Sequence, residues 1–163
     1  MSVNLKGVYK AAEQLKDLVL KTPLVYNEGM SEELSAEVYF KREDLQKVRS
    51  YKLRGAYNKM LSLDNNERAA GIVCASAGNH AQGVAYACHA LGVRGCIFLP
   101  SPTPKQKLRQ IEMFGKGMVE VVLEGDTFDD SYDLARRFAS KNNRAFIHPF
   151  NDKYVIEGQG TVG

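Results

Sequence analysis

Apolar residues recur along the 163-residue chain with two different periods. Leu5, Val8, Tyr9, Ala12, Leu15, Leu18 and Val19 fall on one face of a helix, which predicts a first helix over 5–19. The Lys21-Thr22-Pro23 step ends it, because proline disfavours helical backbone in the residue before it. Val38 and Phe40 alternate with Glu37, Tyr39 and Lys41, as in a short strand. A helix is expected over about 53–63. Beyond it, apolar strands at 71–75, 94–99, 119–123 and 145–147 alternate with helices at 79–91, 104–114 and 128–142.

These strands are short and continuously apolar, which suits a sheet covered on both faces. Strand–helix–strand alternation predicts an α/β fold with a parallel sheet in three αβα layers. In the Pro100–Pro104 loop, Thr103 is the expected N-cap and Pro104 the first helical residue. Parallel sheets bind ligands beyond the carboxyl ends of their strands, so polar or glycine-rich residues just after a strand deserve inspection. The last residues, 155–163, lack a polar tail or closing element, and the expectation is of a chain cut within a larger domain. A terminus that simply frays is the alternative.

Lys+Arg 22 against Asp+Glu 19 gives a net charge of +3, and 44% of residues are hydrophobic. Whole-chain disorder is excluded by that composition. Basic residues such as Lys41, Arg42, Arg136 and Arg137 form no long block, so no nucleic-acid partner is expected. No apolar run reaches the ~18 residues that cross a bilayer, nor does a signal peptide open the chain. No membrane association is therefore expected, and a cytoplasmic location is. Cys74, Cys88 and Cys96 form no C-x-x-C; Cys74 and Cys96 read as buried strand thiols. His80, His89 and His148 offer no metal-ligand spacing. Gly158, Gly160 and Gly163 spell G-x-G-x-x-G, but the pattern needs a preceding strand, a following helix and an acidic residue about 20 positions on, and the sequence stops at the third glycine, so the match is read as accidental.

Two segments could carry chemistry. Ser76-Ala77-Gly78-Asn79-His80 directly follows a predicted strand. Small residues there admit a ligand to the backbone, and the helix that follows aims free N–H groups at an anion. An ordinary strand-to-helix turn capped by Asn79 fits equally. In Ser50-Tyr51-Lys52-Leu53-Arg54-Gly55-Ala56, Lys52 lies between an aromatic residue and a leucine. Shielding and a neighbouring cation such as Arg54 would depress its pKa, as a Schiff-base lysine requires. A solvated lysine beside a surface ion pair of Arg54 is the other reading.

Lys41-Arg42-Glu43-Asp44-Leu45-Gln46, then Ser50–Ala56, then Ser76-Ala77-Gly78-Asn79-His80-Ala81-Gln82-Gly83, in that order, resemble the fold type II pyridoxal-phosphate enzymes of the tryptophan synthase β family. Within it the chain is most similar to the threonine dehydratases (threonine ammonia-lyases). The likeness runs nearly end to end, through Pro100–Lys107, Val121–Gly125, His148-Pro149-Phe150-Asn151-Asp152 and Gly158–Thr161.

That resemblance implies pyridoxal 5'-phosphate as cofactor and the deamination of L-threonine to 2-oxobutanoate and ammonia in isoleucine biosynthesis, by a homo-oligomer. Lys52 would hold the cofactor and act as base, Tyr51 would wall it, and Asn79 would meet its phenolic oxygen. Ser76, Gly78, Asn79 and His80 would receive the substrate carboxylate. Ala77 stands where serine racemases carry a hydroxyl, which favours elimination. Residues 1–64 would be a flank of the large domain, 65–150 the small α/β domain and 151–163 the start of the remainder, with the phosphate-binding glycine loop beyond 163. The flanks would then lack their partners. A non-catalytic fragment that binds a partner chain, and a serine or diaminopropionate eliminase, are the competing readings.

Overall fold

A computed structural model describes residues 2–163. Asn4 opens α1 (Leu5–Leu15) by accepting from the Gly7 amide at 2.9 Å. The helix stops four residues short of the periodicity's end. The Leu18 and Val19 amides both return to the Leu15 carbonyl, and the Gln46 side chain takes both backbone groups of Leu20, at 3.0 and 2.7 Å. A tertiary partner thus replaces the next helical turn.

β1 (Leu24–Tyr26) and β2 (Tyr39–Lys41) form an antiparallel pair with Val25 opposite Phe40, joined through α2 (Glu28–Leu34). Only β2 was legible as a strand. The pair is surface structure, with Leu24 63% and Phe40 41% exposed, so its alternation does not mark a half-buried face. α3 (Lys52–Leu61) and α4 (Asn65–Ala70) follow, the latter opened by an Asp64–Glu67 capping box.

The alternation then unfolds as β3 (Ile72–Ala75), α5 (Asn79–Leu91), β4 (Gly95–Leu99), α6 (Lys105–Gly115), β5 (Val119–Leu123), α7 (Phe128–Lys141) and β6 (Ala145–Phe146). Pro104, not Thr103, is the N-cap of α6: its backbone is extended, and its carbonyl accepts from Lys107 at 2.9 Å. The four strands are parallel in the order β5-β4-β3-β6. Ile72, Cys74, Ile97 and Leu99 face α3, α5 and α6, whereas Val73, Ala75, Cys96 and Phe98 face Ala135 and Ala139 of α7. Continuous apolar strands are thereby resolved into two cores, one on each side of the sheet.

The first core extends beyond this α/β unit. Leu15, Val48, Leu53 and Met60 share it with Ile72, Val84 and Ile97. The N-terminal flank therefore closes against α5. α8 (Lys153–Gln159) seals it from the other side, packed on α3. Glycine makes that approach possible: a Cβ on Gly158 would lie 2.6 Å from the Arg54 carbonyl and 2.8 Å from the Gly55 Cα. Gly158 is thus a helix-packing residue inside α8, and no strand precedes it, which removes the dinucleotide pattern.

Gly158→Ala is expected to destabilise the protein by about 1–3 kcal/mol through forced separation of α3 and α8. Gly29→Ala, in α2 with nothing nearer than 4.0 Å, should be neutral or stabilise by a few tenths of a kcal/mol or more. Urea midpoints of the two variants check the contrast.

Candidate active site

The chain leaves the sheet at Ser76, whose amide bonds to the Phe98 carbonyl at 3.2 Å. Ser76 Oγ then accepts from the Gly78 amide at 3.2 Å, closing a tight turn. Gly78 is the residue before α5, and beyond its chain neighbours no atom of the described residues lies within 4 Å of where its Cβ would be. No side chain caps α5, so the amides of its first turn are open to a ligand. Asn79 is the first helical residue and exposed. Gly78 holds the N-cap position, so the expectation of an Asn79 cap does not describe this turn.

Lys52 begins α3 and is half-buried. Its Nζ donates to the Pro149 carbonyl at 2.9 Å and stands 5.4 Å from the ring centre of Tyr51, itself 42% exposed. Gly83, one turn along α5 from Asn79, fixes the approach of the two helices. A Cβ there would meet the Lys52 carbonyl group and the Leu53 amide at 3.1 Å. The starts of α3 and α5 and the segment after β6 thus converge at the carboxyl side of the sheet, where ligand crevices form.

His80 is only 3% exposed, and its ring faces the interior, Nε2 lying 3.0 Å from the Ile147 carbonyl. At the mouth it can offer only its backbone amide. Burial pushes its pKa down from 6.5 to about 4, with nearby Lys52 and His148 adding to the fall and the Ile147 carbonyl opposing it. His148 is also held below its ordinary value, chiefly by burial and then by Arg136. Its Nδ1 accepts from the amides of Phe150 and Asn151 at 3.1 and 2.7 Å, while Asp152 caps α8. The His148–Asp152 motif is therefore a built turn that presents the Pro149 carbonyl.

Arg54 plays a different part from the one its spacing suggested. It is 5% exposed and bidentate to Glu43, at 2.9 and 2.8 Å, with further bonds to the Leu20 carbonyl and Thr161. Thr22 Oγ1 donates to the same carboxylate at 2.6 Å. Burial pushes the Glu43 carboxyl up, but hydrogen bonds from Arg54, Thr22 and Gln46 outweigh it and hold it below the usual range. Arg54 is thus neither a free cation beside Lys52 nor half of a surface pair. Sequence reasoning missed Pro149 and Ile147, which act through carbonyls that any residue carries. It also gave Glu43 no role, though an acid eleven positions before an arginine is no signal until the turn between them is known.

Two outcomes follow from these groups. Because the folded value of His80 lies below its unfolded 6.5, the unfolded chain takes up more protons between the two values. Stability is then fully present above pH 6.5 and falls as pH drops toward about 4. Thermal midpoints across that range should show the slope in the wild type and less of it in His80→Gln. Glu43 acts lower: its depressed value adds stability that is complete above 4.5 and lost as pH falls below it. Glu43→Gln leaves a buried guanidinium without its counter-charge and should cost about 3–5 kcal/mol in a denaturation curve.

Residues 15–163 match the family described as pyridoxal-phosphate dependent enzyme. The chain is 52% identical over 160 residues to the L-threonine dehydratase biosynthetic IlvA of Bacillus subtilis, covering 98% of this chain and 38% of that relative. It therefore spans well under half the length of the curated relatives it matches. Among solved structures, the processed form of threonine deaminase isoform 2 from Solanum lycopersicum superposes with a TM-score of 0.87 at 38% identity, over 99% of this chain and 45% of that one. Maize serine racemase gives 0.92 at 28% identity, over 99% and 48%. The three-layer parallel sheet, the lysine at the start of α3 and the open turn before α5 accord with the sequence match over nine-tenths of the chain: it belongs to the family of pyridoxal-phosphate dependent enzymes.

Proposed function

We propose that this chain carries the lysine-bearing part of a pyridoxal-phosphate-dependent lyase that deaminates L-threonine to 2-oxobutanoate and ammonia. The observation that carries the reading is the meeting of the Lys52 amine, on the Pro149 carbonyl, with the uncapped start of α5 behind Gly78. These donors suit an aldehyde cofactor and an amino-acid substrate. An amine is available for the aldehyde, Asn79 has an uncommitted amide for a ring oxygen, and first-turn amides await a carboxylate. The empty space at Gly78 is what a ligand drawn close to the backbone needs. The relatives named for threonine dehydration and deamination support the substrate.

In this reading Lys52 holds the cofactor, with Tyr51 as its aromatic wall and Asn79 at the phenolic oxygen. The bound cofactor supplies a sink for the electron pair left at the substrate α-carbon. Lys52 Nζ, once free, takes the α-proton. Ser76 and the backbone amides of Asn79 and His80, with Gly78 keeping the approach open, bind the carboxylate and fix the bond to be broken. Half-burial of Lys52 keeps part of the water away from that amine. Isoleucine biosynthesis is the pathway suggested by the biosynthetic naming of the relatives. Three unpaired, buried cysteines agree with a reducing, cytoplasmic compartment, and we include a homo-oligomer in the proposal. No described helix is long and apolar enough to cross a membrane.

The likeness to maize serine racemase favours a second reading, action on serine with inversion at the α-carbon. Inversion needs a proton donor on the face opposite Lys52. Ala77, next to the open turn, has no group to give one.

In the complete polypeptide, Lys52→Ala should lower 2-oxobutanoate formation from L-threonine by at least about a thousandfold, the scale of a lost general base or more. Asn79→Ala should lower it by about a hundredfold, the scale of one electrostatic partner. Activity that survives Lys52→Ala would refute the assignment. Faster turnover of serine than threonine would overturn the choice of substrate, and D-serine among the products would establish the second reading.

A further inference from the structure

The Lys52 amine rests on a carbonyl that belongs to neither helix at the site. That carbonyl, Pro149, lies two residues beyond Ile147, and Ile147 carries the only hydrogen bond that the buried His80 ring makes among the described residues. One short segment, 147–149, therefore holds an anchor from α5 and an anchor from α3. The segment is fixed on its other side by the Ile147 amide, which donates to the Val73 carbonyl of β3 at 2.8 Å. The two turns at the site thus share one support.

We propose, building on the assignment of Lys52 to the cofactor, that His80 is a positioning residue: by donating Nε2–H to the Ile147 carbonyl it holds segment 147–149 so that the Pro149 carbonyl presents the Lys52 amine to the open start of α5. Three observations support it. A carbonyl accepts only, so the bond places the proton on Nε2. Nδ1 is then an acceptor, and it is buried without a partner, a cost that an apolar side chain of similar size would avoid. The ring is also kept neutral by burial, with Lys52 adding to the effect, so no second positive charge is set beside the amine. The groups close to the ring's charge are Lys52 and His148, and both oppose its protonation.

The test follows the amine itself. Pyridoxal phosphate is added to the complete protein and reduced with borohydride: the amine adds to the aldehyde, water leaves, and hydride fixes the new C–N bond. Peptide mass spectrometry then gives the labelling rate at each lysine. His80→Leu should slow labelling at Lys52 by about tenfold or more, the scale of a modest misplacement of a reacting group, and leave exposed lysines unchanged. His80→Gln, whose amide N–H can replace Nε2–H, should restore most of the rate. Circular dichroism confirms that each variant is folded. Equal labelling of Lys52 in folded His80→Leu and wild type would overturn the proposal. Wild-type labelling no faster at Lys52 than at exposed lysines would instead overturn the cofactor assignment. Should His80→Leu fail to fold, long-range ¹H–¹⁵N spectra of the wild type at pH 7 decide: a neutral ring protonated on Nε2 is required, and an Nδ1–H tautomer or a charged ring would sink the idea.

Discussion

The arrangement depends on one buried guanidinium. Arg54 lies two residues into the helix that Lys52 begins, and its five donors gather Glu43, the Leu20 carbonyl and Thr161 around a single point. Desolvating both charges is costly, and a hydrophobic pair of the same volume would often be as stable. What the ion pair supplies is geometry. A bidentate contact tolerates little rotation of α3 about its axis, and Lys52 is on the turn it locks. Apolar packing by Leu53, Ala56 and Met60 holds α3 against the sheet but is non-directional. The fork adds the directional part.

Close approach is the second constraint. α3 is gripped between α5 and α8, and glycines stand at both contacts: Gly83 against the Lys52 carbonyl group, Gly158 against Gly55. A Cβ at Gly158, 2.6 Å from the Arg54 carbonyl, would force the helices apart, and one at Gly83, at 3.1 Å, would ask its neighbours to give by about a few tenths of an ångström. The reactive end of α3 is thus placed by one ion pair and two interfaces at which a helix meets backbone.

The parts readable in the sequence were those with a local cause. Alternating β and α periods gave every strand of the parallel sheet within one or two residues, because burial on both faces forces continuous apolar runs. The Ser76–His80 turn was visible because small residues after a strand have a local steric meaning. Lys52 was visible as an amine in apolar company, but its significance came through the ordered motifs. The misses share a non-local cause. The end of α1 is decided by Gln46, 26 residues from Leu20, and the fate of Arg54 by Glu43, eleven residues back across a turn. β1 and β2 went half unread because three-residue, exposed strands leave no burial pattern. The place of His80 in the motif puts its backbone amide at the mouth but does not say where its ring goes. In the first turn of a helix, neighbouring residues point about 100° apart, and Asn79 and His80 divide between solvent and core.

Charge is distributed around the site so that one amine stands alone. Arg54 is neutralised at its own carboxylate, and His80 is held neutral by burial. His148 is committed as an acceptor to two amides, which leaves no proton on Nδ1. The contacts made by Lys52 are a carbonyl and an aromatic ring, both of which hold a cation without fixing it as a carboxylate would. An amine paired with a carboxylate would have to break that pair before reacting. One resting on a carbonyl gives up a single hydrogen bond. Lys41 also rests on a backbone carbonyl, that of Thr22, so what sets Lys52 apart is that its carbonyl belongs to the segment that anchors α5 as well.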